Sequence, residues 1–422
     1  MSRNKLLYEF QSGFRQGFST DTCLIHLSDY IRLQMDKGHF VGMVLLDLQK
    51  AFDTVDHGIL LMKLKAMGFS ASAVRWFSSY LSDRHQLVDV SGVHSAEAGI
   101  TCGVPQGSIL GPLLFLIYVN DMPGAVKHKL LLYADDSAIL VSGKCRQVIE
   151  TILSSEMAIL NQWLISNKLS LHVGKTESIL FGSKQRLKQQ PSLNVTCSGH
   201  TLESKTSVKY LGVTIDQSLT FESMARSIIK KANSRLKFLY RKKHFLTYHT
   251  KKLLAMSLIQ CHFDYASPVW FYGLTKDLKD KLQVTQNKLV RFVLNLEPRS
   301  HIGNEAFHTL KWLPVSDRVD QVTLGHVFRI HNNTAPNYMS EYFSPVSNVH
   351  SFQTRFRVSV IESSQSCIDT KRYSIPNVKS FGQKTFAYQG CCLWNSLPQS
   401  VRDSNKVSVF KSNVKQHLLE RI

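Results

Sequence analysis

Three carboxylates carry the first chemical signal. Asp47 closes the apolar run that begins at Val41, and Asp135-Asp136 sits between the strand-like runs Leu130 to Tyr133 and Ser137 to Val141. A carboxylate beside a buried strand is costly unless it is hydrogen-bonded or binds a cation. Taken singly, Asp47 reads better as a helix cap, and Asp135-Asp136 as a solvated turn. Taken together, three acids at the tips of apolar strands fit a two-metal phosphoryl-transfer site, whose ions stand about 3.5–4 Å apart.

Other segments add polar groups to that chemistry. Gly103-Val-Pro-Gln-Gly-Ser108 is a Gly/Pro turn leading into an apolar helix. Gly107 lets backbone approach a base or sugar closely, Gln106 can bond a base edge or nearby backbone, and Ser108 can cap the helix. His172-Val-Gly-Lys175-Thr176 ends like a phosphate-binding loop. Leu169 stands where such a loop needs its first Gly, which excludes a P-loop NTPase.

The elements that must position these residues follow from periodicity. The spacing predicts helices over 20–35, 58–82, 148–163 and 278–296, and strands at Val41 to Asp47, Gln86 to Val90, Gly99 to Gly103, Leu130 to Tyr133, Ser137 to Val141 and Thr176 to Phe181. Val208 to Ile215 reads as a strand pair, and Lys184 to Ser192 as a loop. From Ser223 to Lys243 one helical stripe is apolar (Ala225, Ile228, Ala232, Leu236, Leu239), while Arg226, Lys230, Lys237 and Arg241 make a basic one. Beyond Ser300 the pattern weakens.

Composition bounds the partners. The 422 residues include 51 Lys and Arg against 31 Asp and Glu, a formal charge of +20 that makes nucleic acid the first candidate ligand. No apolar run approaches the roughly 20 residues of a membrane span, and no secretory h-region follows Met1. Eight scattered cysteines make no disulfide framework, which points to a reducing, intracellular compartment. Cys391-Cys392 with His417 lacks a second pair at zinc spacing.

The ordered set Asp47…Phe52-Asp53, Pro105-Gln-Gly-Ser108, Tyr133-Ala-Asp-Asp136, Lys175-Thr176 and Tyr210-Leu-Gly212 resembles the successive palm motifs of reverse transcriptases. The wording is similar to non-LTR (LINE-type) retrotransposon polymerases of the Jockey superfamily. The similar phrases are Gln11 to Arg15, Ala51 to His57, Trp76 to Leu81 with Arg84, Gly111 to Phe115, Leu313-Pro-Val315 and Trp394 to Pro398.

The resemblance implies an α+β right-hand polymerase with a palm at 41–216, a basic helical thumb at 217–300 and a helix-rich C-terminal extension at 301–422. Residues 1–40 would be a remnant of the fingers, which would be largely missing. It implies RNA-directed DNA polymerisation: two Mg²⁺ ions, with Mn²⁺ as a substitute, held by Asp47 and Asp135 with Asp136 assisting. Phe52 would exclude a ribose 2′-hydroxyl, and Gln106 and Gly107 would touch the nascent base pair. Lys175 would protonate the pyrophosphate, and Val208 to Val213 would grip the primer. Arg226, Lys230, Lys237 and Arg241 would track the nucleic-acid backbone. Of the basic residues before the first helix, Arg3, Lys5 and Arg15, Arg15 would retain one triphosphate contact.

The implied partners are an RNA template, a DNA primer, dNTPs, and an upstream endonuclease and fingers region of the same polyprotein. The implied compartment is the nucleus, with no membrane contact. His172 departs from the family's usual Asn. The short leader before Gln11 makes an N-terminally truncated element the expectation. The alternatives are an inactive nucleic-acid-binding remnant and, more weakly, a metal-dependent nuclease.

Overall fold

The computed structural model describes residues 6–189, 192–346 and 371–422. The chain forms two compact units, one from Met1–Cys23 with Gly38–Val208, the other from Leu24–Lys37 with Lys209–Ile422.

The first unit is built on a five-stranded sheet. Its strands are β1 (Phe40–Leu46), β2 (Lys129–Tyr133), β3 (Asp136–Gly143), β4 (Glu177–Phe181) and β5 (Glu203–Lys205), in the order β5-β4-β1-β3-β2. Only the β5–β4 pair is parallel. The central strand β1 is buried at nearly every position, so its sequence is a continuous apolar run rather than an alternation. Helix α5 (Arg146–Ser166) buries Ile149, Leu153, Met157, Leu160 and Leu164. It packs so closely on β1 that a Cβ at Gly42 would lie 2.4 Å from Ile149. Helix α4 (Leu110–Tyr118) supplies Leu114, Phe115, Ile117 and Tyr118 to the same core.

Three expectations are corrected here. Residues 58–82 form two helices, α2 (His57–Ala66) and α3 (Ala71–Leu81). Gly68 at φ +83° ends the first, and Ser70 Oγ caps the second by accepting from Ala73 N at 3.3 Å. The expected strands at 86–90 and 99–103 shrink to two-residue ladders, His85–Gln86 with Ala98–Gly99 and Asp89–Val90 with Val93–His94, all exposed. With no core face to bury, they have little to extend them. The expected loop from Lys184 opens with a short helix, Lys184–Leu187, capped by Ser183; Pro191 lies outside the described residues.

The second unit is helical. Helix α1 (Thr20–Asp36) is capped by the reciprocal pair Ser19 and Thr22. Its second half belongs to this unit. Asp29 accepts from the N–H groups of Phe386 and Ala387, each at 2.9 Å, at the start of helix Phe386–Ser396. Arg32 donates to the carbonyls of Lys384 and Val269 at 2.7 and 2.9 Å. Both side chains are fully buried. Burial pushes the Asp29 carboxyl up to about 6, against the opposing pull of Arg32.

The hairpin β6 (Ser207–Tyr210) and β7 (Val213–Asp216) turns at Leu211-Gly212, both at positive φ. Asp216 then caps the entry to α6 (Glu222–Arg241), accepting from Phe221 N at 2.7 Å. The buried face of α6 is the apolar stripe read from the sequence: Ala225, Ile228, Ala232, Leu236 and Leu239. Helices α7 (Tyr248–Ala255), α8 (Lys276–Leu294), α9 (Asn304–Leu310) and α10 (Val315–His331) follow. The last two are α11 (Phe386–Ser396) and α12 (Val407–Glu420).

Candidate active site

The palm acids are brought together by strand register. β1 and β3 run antiparallel with Leu46 opposite Ser137. One step further along both strands, Asp47 therefore stands across from Asp136. Tyr133 pairs with Asp136 across a two-residue turn, Ala134-Asp135. Ala134 takes φ +57°, so positive φ falls on the first central residue, as in type II′ hairpins. This tight turn holds Asp135 beside the other two acids.

Electrostatics report the same clustering. The Asp136 carboxyl is raised above its ordinary 3.8, first by desolvation, then by the negative charges of Asp135 and Asp47. A carboxyl whose folded pKa exceeds its unfolded one binds protons more tightly in the folded chain. Its contribution to stability is full below the unfolded value and is lost as pH rises through the folded value. Asp136→Asn is therefore expected to stabilise the fold at pH 7 and to give little change at pH 3. Repulsion at a solvent-facing site is worth at most about 1 kcal/mol, so the Tm gain is no more than about 4 °C. Calorimetry at the two pH values checks this; a loss of Tm at pH 7 contradicts it.

The turn is locked by a residue to which the sequence reading gave no role. Gln11, 2 % exposed, accepts with one Oε1 from Ala134 N at 3.0 Å and Gly13 N at 2.9 Å. Gly13 lies so close that a Cβ there would meet Ala134 N at 2.5 Å. The signal was present in the phrase Gln11-Ser-Gly-Phe-Arg15, but the partner of Gln11 lies 123 positions away. Gln11→Ala leaves two buried N–H groups unpaired, at about 1–3 kcal/mol each, and loosens the strained turn. Misplacement of this kind is expected to slow single-turnover primer extension by about 10–100-fold while primer–template affinity stays as in the parent chain. Equal losses in both would make Gln11 merely structural.

The other expected site residues fall around this centre. The Lys175 loop is stitched to the first acid, because His172 N donates to Asp47 O at 2.8 Å and Gln49 N to Ser170 O at 2.9 Å. The His172 carbonyl accepts from Lys175 N and Thr176 N, each at 3.0 Å. These are backbone bonds, so His in place of Asn does not disturb them. Lys175 is exposed. The Phe52 turn and the Gly103 loop are also joined, through Val104 N to Phe52 O at 2.9 Å and Gly103 N to Val55 O at 2.7 Å. The half-buried ring of Phe52 stacks on Phe115 at 4.3 Å. Gln106 Nε2 donates to Asp53 at 2.8 Å, which turns its Oε1 into the group available to a ligand. Gly107, at φ +82°, has open space where a Cβ would project. Ser108 Oγ accepts from Gly111 N at 2.9 Å, capping α4.

Arg15 is engaged by the backbone around it. Its Nη1 donates to the Tyr8 and Gln11 carbonyls at 2.7 and 2.8 Å, and its guanidinium lies 4.0 Å over Phe18. These bonds shape the Gln11 segment. In the second unit, Arg226, Lys230, Lys237 and Arg241 are all exposed on one face of α6. Arg226 pairs with Glu222.

A largely antiparallel sheet with acids clustered at its strand ends is the arrangement of a polymerase palm. A model of the reverse transcriptase (RNA-dependent DNA polymerase) family matches residues 1–215, and the chain belongs to that family. It is similar to the probable RNA-directed DNA polymerase from transposon BS of Drosophila melanogaster, 30% identical over 310 residues, covering 69% of this chain and 33% of that protein. The polymerase from mobile element jockey of Drosophila funebris is 29% identical over 297 residues, with 67% of this chain and 31% of the relative covered. The chain thus spans about a third of the length of the curated relatives it matches. Among solved structures, telomerase from Candida albicans matches with TM-score 0.35 and 11% identity over 80% of this chain and 55% of that one. Apo telomerase from Candida tropicalis matches at 0.38 and 10%, over 79% and 57%. No helix among the described residues is long and apolar enough to cross a membrane.

Proposed function

We propose that the chain works as an RNA-directed DNA polymerase of a non-LTR retrotransposon, adding deoxynucleotides to a DNA 3′ end on an RNA template. The observation that carries this reading is the gathering of Asp47, Asp135 and Asp136 at adjoining strand ends, where desolvation first, and then the charges of Asp135 and Asp47, raise the Asp136 pKa.

Reverse transcriptases generally use divalent metal ions. The donor set here fits hard cations, because oxygen ligands with uncompensated charge suit Mg²⁺ and Mn²⁺. Among the described residues no three acidic, His or Cys side chains already form a ligand cluster, so the aspartates must turn toward a shared ion to hold it. Asp47 and Asp135 would hold two Mg²⁺ ions, with Asp136 assisting; when bound, such ions activate the attacking oxygen and neutralise charge on the leaving one.

The chain's own groups do the rest. Lys175, on the loop stitched to Asp47, donates a proton to the departing pyrophosphate. Phe52, braced by Phe115, bars a 2′-hydroxyl from the sugar pocket. Gln106 and Gly107 face the nascent base pair, the β6–β7 hairpin steadies the primer, and the basic face of α6 follows the phosphate backbone. RNA template, DNA primer and dNTPs are the proposed ligands. A fingers and endonuclease region of the same polyprotein is a proposed partner, and the nucleus the proposed place of action.

A second reading is a nucleic-acid-binding protein without polymerase activity. The engagement of Arg15 by two backbone carbonyls favours it, since that leaves the triphosphate with less cationic support. Primer extension on poly(rA)/oligo(dT) with the purified chain decides between the two. Mg²⁺-dependent addition of deoxythymidylate supports the polymerase. Tight primer–template binding with no extension supports the second reading and overturns the first.

A further inference from the structure

A cavity of about 100 Å³ in the helical unit has a charge balance that the polymerase reading does not use. Lys311, Arg318 and Lys415 line it, and Asp264 is its one acidic lining residue. Asp264 is already committed. Arg318 Nε and Nη2 hold its two oxygens at 3.0 and 2.9 Å, and Gln260 Nε2 adds a bond at 3.2 Å. Among the described residues, the two lysines have no carboxylate partner. Lys415 feels the crowding: its ammonium pKa is lowered, by desolvation first and then by Arg318, Lys252 and Lys311.

The cavity also offers one unsatisfied acceptor. Gln260 is 9 % exposed, and its Oε1 has no hydrogen-bond partner among the described residues. The two neighbouring amides are turned elsewhere. Gln286 Nε2 donates to Leu313 O at 2.9 Å, and Gln321 Nε2 to Lys411 O at 3.0 Å. Gln260 ends a π-helical turn, Met256–Gln260, that lines the cavity. Such turns recur at functional sites. A buried amide oxygen without a donor is costly, and a compact group of cations repels itself unless an anion lies among them.

We propose that this cavity binds a phosphate group of a nucleotide unit, with Lys311 and Lys415 on its oxygens and Gln260 accepting from a neighbouring sugar hydroxyl or base amino group. The volume suits a phosphate rather than a whole nucleotide, so the sugar and base extend outward. A free nucleotide and a single-stranded RNA share this chemistry. The site lies wholly in the second unit and requires no polymerisation, so it stands or falls independently of the palm.

The test uses the full chain with three probes: inorganic phosphate, AMP and a labelled single-stranded RNA. The variants are Lys311→Ala/Lys415→Ala and a charge-matched control, Lys184→Ala/Lys188→Ala, on exposed lysines of the first unit. The parent chain and the control are expected to bind phosphate and AMP saturably by calorimetry, and the cavity variant to lose both. If the ligand is a strand, the cavity variant also binds RNA about tenfold more weakly than the control at physiological salt, the counterion arithmetic for two contacts. Loss of AMP and phosphate with RNA unchanged identifies a free nucleotide. Should the double variant fail to fold, Gln260→Leu keeps every cation and is expected to weaken AMP several-fold. The proposal is overturned if the parent chain binds neither small probe, if the cavity variant binds all three like the control, or if Gln260→Leu leaves AMP binding unchanged.

Discussion

Asp135→Asn is expected to reduce primer extension by at least about 10⁴-fold, the scale on which removal of a core member of a catalytic unit acts. The substitution keeps shape and removes charge. Asn offers one neutral oxygen in place of a carboxylate, and hard divalent ions are held chiefly by anionic oxygen. Asp47→Asn should do the same from the other strand. Because the two residues would hold the same ions, the double variant should be scarcely worse than either single one. Asp136→Asn should cost less, since its role is assistance, and it relieves repulsion in the folded chain. Single-turnover rates with saturating primer–template separate chemistry from binding, which the palm acids do not provide. Retention of a tenth of the parent rate by either Asp47→Asn or Asp135→Asn would end the two-metal reading.

The same residues show what a sequence can reveal. The palm was legible because its signals are local. β1, β3 and β4 are apolar runs bounded by Gly or acids, and the strand ends at Leu46 and Tyr133 fall where the charge begins. The clustering of the acids followed from requiring one cation pair to need them all, and strand register supplies it. Helix α6 was legible for a different reason. It has one wet face and one dry face, so the 3.6-residue period survives intact in its sequence.

What failed to show was non-local. Gln11 is a buried amide whose partner depends on tertiary contact, and no window of neighbouring residues contains that contact. Helix α10 was missed as an element. It buries nine side chains besides Gly325, among them Gln321, Thr323 and His326, so both faces are covered and polar residues interrupt the apolar pattern. Helix α11 is short and carries Gly390 in its middle. The division of α1 between the two units was likewise invisible. Its amphipathic pattern shows that a face is buried, not which unit covers it. Nothing beside Asp29 and Arg32 in the sequence marks them as buried; the carbonyls and N–H groups around Lys384 to Ala387 that hold them lie more than 350 positions away.

The basic face of α6 yields the second large effect, on affinity. Arg226, Lys230, Lys237 and Arg241 recur at intervals of four, seven and four residues, which keeps them within one narrow sector of the helix. Each phosphate they neutralise should add about 0.7–0.9 to the slope of log affinity against log salt. Arg226 contributes less than its share, because its contact with Glu222 at 2.6 Å must be given up first. Replacing all four with Ala is therefore expected to flatten the slope by about three contacts' worth, roughly 2–2.7, and to weaken primer–template binding about 100-fold at physiological salt. Misfolding is a poor explanation for such a loss. The buried stripe Ala225, Ile228, Ala232, Leu236 and Leu239 is untouched, and Ala is the best helix former at exposed positions. Thermal melting of the variant should match the parent, and filter binding between about 50 and 200 mM salt gives the slope. If the slope is unchanged while the melt is also unchanged, α6 does not follow the backbone. The excess positive charge of the chain must then meet nucleic acid elsewhere, and the cationic cavity of Lys311 and Lys415 becomes the next surface to neutralise.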